Sequence, residues 1–236
     1  MWLVLFDIDG TLLRARGEPV RRALQEALQV TLKHAVPIEL LGDLAGKTDT
    51  LIFAEVARQF GAEEHAVQRS MTAFVRVYEQ AYRRYVHPRD IRPLPGAEEV
   101  LASLEALPGI ASGLLTGNLR SVALWKLRTV GLSRYFLVGA FGSDHWERTL
   151  LVPIAWQRAR MMGLPIEPSR TIVVGDSVRD VACARAWGIP CIAVATGSTS
   201  AACLQAAGAR VVLPELSVEA FWSALHELCA QVDHRN

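Results

Sequence analysis

The sequence predicts an α/β protein: a doubly wound, mainly parallel sheet, with an all-helical unit inserted after its first strand. Short apolar runs bounded by Gly or Asp recur along the chain. Between them lie amphipathic stretches that stop at glycines. One long interval, from Arg14 to Arg92, shows helical spacing and no convincing strand. Strand–helix alternation of this kind marks an open sheet covered by helices on both faces.

The runs Trp2–Phe6, Ile110–Leu115, Phe136–Ala140, Thr171–Val174, Cys191–Val194 and Arg210–Leu213 read as strands. They are apolar throughout rather than alternating, as strands buried on both faces should be. Three helices follow from caps and stops: Asn118–Val130 before Gly131, Leu150–Met162 before Gly163, and Arg179–Trp187 before Gly188. In the long interval, Val20, Ala23, Leu24, Ala27 and Leu28 form one stripe, and Phe53, Val56, Ala57 and Phe60 another. Val67, Met71, Phe74, Tyr78, Ala81 and Tyr85 form a third, read as core rather than as a cofactor wall. Pro88, Pro93, Pro95 and Gly96 mark the return. The expected division is a core of residues 1–15 and 92–236 with a helical insert of residues 16–91.

With 236 residues, 51% hydrophobic and 21% charged, the chain can bury a substantial core. A net charge of +1 gives no electrostatic case for nucleic acid or a membrane surface. No apolar run approaches a membrane span, and the first one meets Asp7 too soon for a signal peptide. Cys183, Cys191, Cys203 and Cys229 lack metal-type spacing and read as small hydrophobes in a reducing cytoplasm.

The chemistry begins at the first strand. Asp7 and Asp9 follow Trp2-Leu3-Val4-Leu5-Phe6 and stand two residues apart, so on extended backbone they lean the same way. Two such carboxylates repel unless a cation or a shared proton intervenes, which suggests a metal site or a nucleophile beside an acid/base. Ligands of an open α/β sheet bind beyond the carboxyl ends of the strands. There the second strand leaves Thr116-Gly117-Asn118, and the fourth leaves Gly175-Asp176-Ser177 with Asp180 one helical turn later. Arg148 opens the helix before the fourth strand.

Asp7-x-Asp9-Gly10-Thr11, Thr116-Gly117-Asn118, Arg148 and Gly175-Asp176-x-x-x-Asp180, in this order, resemble the four motifs of the haloacid dehalogenase-like superfamily. The likeness covers the whole chain, because the helical insert lies where many members carry a cap over a Rossmann-like core. It implies that Asp7 is a nucleophile forming an aspartyl-phosphate and that Asp9 is the acid/base. It also implies Mg2+, held by the Asp7 carboxylate, the Asp9 backbone carbonyl and Asp176, with Asp180 in support. Thr116, Gly117 and Asn118 would hold phosphoryl oxygens.

Arg148 departs from the pattern, since members usually place Lys there; it keeps the charge but not the shape. An acid/base at Asp9 also separates this chain from metal-free dehalogenases. In the insert, Gly46-Lys47-Thr48-Asp49 forms a turn before a helix. Thr48 or Asp49 is a simple cap there, and Lys47 is either a turn residue or a substrate-selecting cation. Arg14, Arg16, Asp144 and His145 read as linker or loop residues.

The resemblance implies a phosphatase for a small soluble phosphomonoester, with phosphoglycolate or a sugar phosphate as expected substrate. The alternatives are a phosphomutase of the same family and a non-catalytic phosphate-binding module. A monomer or weak homodimer is expected.

Overall fold

The computed structural model describes residues 1–233. β1 (Trp2–Phe6) leads to a short β2 (Leu13–Ala15), then to helices α1 (Gly17–Leu32), α2 (Asp49–Gln59) and α3 (Glu64–Tyr85). β3 (Ile91–Pro93) brings the chain back. Strands and helices then alternate: α4 (Ala97–Glu105), β4 (Ile110–Thr116), α5 (Arg120–Thr129), β5 (Val138–Phe141), α6 (Leu151–Met161) and β6 (Thr171–Gly175). The series closes with α7 (Val178–Ala186), β7 (Cys191–Val194), α8 (Ala201–Ala206), β8 (Val211–Leu213) and α9 (Val218–Asp233).

Six strands form one sheet in the order β5-β4-β1-β6-β7-β8, every pair parallel. β1 lies in the middle, and the winding runs outward from it in both directions. The loops that leave β1, β4 and β6 therefore open side by side at the switch point, where such sheets bind ligands. Alternate residues of the strands serve opposite faces. Leu3, Leu5, Val173 and Ala193 pack with Val152, Ala155, Trp156 and Val181 of α6 and α7. Val4, Phe6, Ile172 and Ile192 join α4, α5, α9 and the three helices of the insert in the other apolar cluster.

Of the predicted α3 stripe, Val67, Phe74, Tyr78 and Ala81 are core while Met71 and Tyr85 are half-buried; Tyr82, outside the stripe, is buried as well, and Phe53 stacks on Phe74 at 4.6 Å between ring centroids. The interval between Arg14 and Arg92 is not purely helical. Its ends pair as a two-stranded antiparallel ribbon, with Leu13 opposite Pro93, Arg14 opposite Arg92 and Ala15 opposite Ile91. Strands of three residues are too short to show a period, so the ribbon is invisible in sequence.

Two other boundaries move. The third predicted strand starts at Val138, because Phe136 turns inward against Phe6 at 6.3 Å between ring centroids. The helix expected from Asn118 starts at Arg120 instead, because the Asn118 side chain is occupied elsewhere.

Candidate active site

The ends of β1 and β6 bring three carboxylates together. One oxygen each of Asp7, Asp176 and Asp180 lies within 4.8 Å of the other two, and all three side chains are buried. The Asp7 N–H donates to Val174 O (2.8 Å), which fixes the two strand ends against each other. Ser177 caps α7, its N–H and hydroxyl donating to Asp180 Oδ2 at 3.0 and 2.6 Å. The cap therefore places Asp180 beneath the site. Asp176 Oδ1 accepts from the Thr11 hydroxyl (3.3 Å), and Oδ2 is held in a cradle between two glycines: a Cβ on Gly10 or on Gly197 would come within 2.3 or 1.6 Å of it. Gly10 also has φ +85°, the left-handed region that other residues rarely adopt.

Arg148 enters this group from the turn before α6. Its Nη2 lies 2.9 Å from Asp7 Oδ1, 2.5 Å from Asp180 Oδ1 and 3.2 Å from Leu115 O. Nη1 donates to Gly46 O of the insert (3.2 Å). Three carboxylates against one guanidinium leave two negative charges unbalanced in a buried place. Burial pushes Asp7 up to about 7; Arg148 opposes this, while Asp180 and Asp9 add to it. Burial, then the charges of Asp7 and Asp180, push Asp176 up to about 8. A hard divalent cation fits this set in charge and in its all-oxygen donors, and would replace the protons that otherwise neutralise it.

The Asp9 carboxylate does not join the trio. Its Oδ2 accepts from Asn118 Nδ2 (2.7 Å) and from Lys126 Nζ (2.6 Å), while Lys126 also donates to Asn118 Oδ1 (2.7 Å). Lys126 draws the Asp9 carboxylate toward α5, while Asp9 still shares the cavity wall with Asp7 and Asp176. Thr116 lies behind, fully shielded, its hydroxyl accepting from Asn118 Nδ2 at 2.8 Å.

Lys126 was not legible as a site residue, although one signal exists. It falls in the apolar phase of α5 with Val122, Ala123 and Leu127. Asp49 was read as at most a cap of its own helix. Thr48 performs that task, accepting the Leu51 N–H at 3.0 Å. Asp49 instead accepts the Leu119 N–H at the start of α5 (2.8 Å), and burial pushes it up to about 7.

A cavity of about 520 Å³ spans the site and the insert, with Asp7, Asp9, Asn118, Asp176, Arg14 and Lys47 on its walls. The Lys47 ammonium is paired with Glu55 (2.6 Å) in α2. Arg14 lines the cavity while donating to Thr196 O (2.6 Å), so it is more than a linker residue. Asp144 is a loop residue as expected, clamped by Arg158 at 2.5 and 2.8 Å.

The chain is 29% identical over 188 residues to a phosphoglycolate phosphatase of Nitrosospira multiformis, covering 78% of this chain and 79% of that one. It is 28% identical over 201 residues to the phosphoglycolate phosphatase of Rhodospirillum rubrum, covering 82% and 79%. A hydrolase from Pseudomonas syringae shares the fold with TM-score 0.70 at 22% identity, over 97% of this chain and 99% of that one. The family model of the haloacid dehalogenase-like hydrolases matches residues 1–188, and the chain belongs to that family.

Proposed function

We propose that this hydrolase is a Mg2+-dependent phosphatase of a small phosphomonoester, with residues 16–91 acting as a cap over a core of residues 1–15 and 92–236. The observation that carries the reading is the buried Asp7–Asp176–Asp180 trio, with two negative charges that Arg148 does not balance. Asp7, Asp176 and the Asp9 carbonyl would hold the cation, with Asp180 positioned behind them. When bound, the cation neutralises charge on the phosphoryl group and lets a carboxylate approach it.

An Asp7 oxygen attacks phosphorus, the bond to the leaving oxygen breaks, and Asp9 delivers the proton that oxygen needs. Asp9 then takes a proton from water as the water attacks the aspartyl-phosphate, which frees Asp7 and phosphate. Arg148, one edge of whose guanidinium faces Asp7, and the Gly117 N–H would counter the charge on the equatorial oxygens. Thr116 contributes through Asn118 rather than directly. The contacts that seat the Gly46 segment on Arg148 would close the chamber against bulk water.

The named activity of the relatives makes phosphoglycolate the first substrate to test, with sugar phosphates next. Purified protein should release phosphate from p-nitrophenyl phosphate and from part of a small phosphoester panel with Mg2+, and not with EDTA. Isomerisation primed by a bisphosphate, without net release, would instead indicate a mutase. Ligand binding without turnover on any ester would indicate a binding module.

A further inference from the structure

Lys126 is a buried cation that the reading above leaves without a task. Its side chain is 3% exposed, and Nζ is shared between Asp9 Oδ2 and Asn118 Oδ1, with the Tyr82 ring 5.5 Å away. Asp49 is the other charged group facing it. The fold gains little from this placement. A buried ion pair is seldom more stable than packed apolar side chains of similar volume, and Met would suit this phase of α5. Side chains on a helix also lean toward its N-terminus, so the ammonium is carried to the positive end of the α5 dipole. A cation held there against both costs is explained by what it touches.

It touches one oxygen of Asp9. Oδ2 takes two charge-assisted or amide donors, whereas Oδ1 accepts from none of the described residues. The Asp9 side chain is 39% exposed and lies on the cavity wall. We propose that Lys126 is a positioning residue: with Asn118 it pins Oδ2, so that Oδ1 alone faces the chamber and carries the proton to the leaving oxygen. Such pinning removes rotamer freedom that proton transfer would otherwise have to overcome. The inference rests on the acid/base role given to Asp9 and names the residue that aims it.

The test compares wild type, Lys126→Met and Asp9→Asn on two esters with Mg2+, reading kcat/KM, which reports the step that expels the leaving group. A simple alkyl phosphate needs its leaving oxygen protonated, and 2,4-dinitrophenyl phosphate does not. Lys126→Met is expected to lose ~100-fold on the alkyl ester and less than ~5-fold on the dinitrophenyl ester, following Asp9→Asn in direction. Its crystal structure should show the Asp9 carboxylate turned off Asn118. Thermal unfolding checks that the variant folds, and Lys126→Gln, which keeps a donor one atom shorter, takes its place if it does not.

A loss equal on both esters, or no loss, overturns the proposal. So does an Asp9 carboxylate that stays in place. If Asp9→Asn alone shows the selective loss, positioning by Lys126 is wrong while the phosphatase reading stands. If wild type hydrolyses neither ester, the phosphatase reading fails and this role fails with it.

Discussion

Arg148 and Asp180 meet where solvent does not reach: Nη2 lies 2.5 Å from Asp180 Oδ1, the two side chains being 6% and 0% exposed. The same nitrogen lies 2.9 Å from Asp7 Oδ1, so one guanidinium joins a residue of the loop after β1 to one at the start of α7. A lysine, with its single ammonium, cannot hold both oxygens, Leu115 O and Gly46 O at once. Burial disfavours the charged guanidinium of Arg148, yet Asp180 and Asp7 hold its pKa well above the ordinary arginine value. Arg148→Ala would strand Asp180 as an uncompensated buried charge. The expected cost is ~3–5 kcal/mol of stability, read by denaturant unfolding. A loss under ~1 kcal/mol would mean that the pair is not formed in solution.

Asp7→Asn should abolish phosphate release while leaving the thermal transition near that of wild type. The amide cannot attack phosphorus, but it still accepts from Arg148. Activity within tenfold of wild type, or about that factor, would remove Asp7 as nucleophile.

Asp7 and Asp176 also set a pH dependence. Without a cation their folded values, about 7 and about 8, lie above the ordinary carboxylate value of 3.8. The folded protein thus keeps protons that the unfolded chain has released, and its stability falls as pH rises from the carboxylate range through 7 and 8. Mg2+ held by these carboxylates would compete with those protons. The rise in Tm on adding Mg2+ should therefore be small at pH 5.5 and grow toward pH 8.5. A rise independent of pH would mean the ion binds elsewhere.

Asp49 behaves in the same sense, outside the trio. Burial pushes it up to about 7, against the Leu119 N–H and Lys126. Its contribution to stability is thus lost as pH climbs from 3.8 toward 7. Asp49→Asn keeps an acceptor for Leu119 and cannot ionise. Relative to wild type it should be on the order of 1–3 kcal/mol more stable at pH 8 than the same comparison gives at pH 4. Parallel stability curves at the two pH values would contradict this.

Gly197→Ala tests the cradle. Its Cβ would come within 1.6 Å of Asp176 Oδ2, and the carboxylate, being the end of a side chain, has to swing away. Mg2+ affinity, measured by calorimetry, should drop ~10–100-fold while the protein remains folded. Unchanged affinity would place the ion away from Asp176.

Much of this was legible in the chain. Apolar runs ending in Asp, Thr-Gly or Gly-Asp place Asp7, Thr116 and Asp176 at strand ends, since a strand buried on both faces stays largely apolar until it leaves the sheet. Helical stripes at threes and fours locate α1 to α3, with Leu24, Phe53 and Phe74 inward. Short ribbon strands at Leu13–Ala15 and Ile91–Pro93 were not legible, because three residues carry no period.

By itself, the sequence determined the doubly wound sheet, the helical insert and the order of the acidic motifs, because these follow from local periodicity and from where polar residues interrupt it. Only the tertiary structure decided which charges meet. Asp9 turns to Lys126 rather than to Asp176, Asp49 caps a helix seventy positions away, and Arg148 ties Asp7 to Asp180. Partners so distant along the chain leave no period and no spacing; what selects them is the need of each polar group withdrawn from water for a hydrogen-bond donor or counter-charge within reach of its side chain.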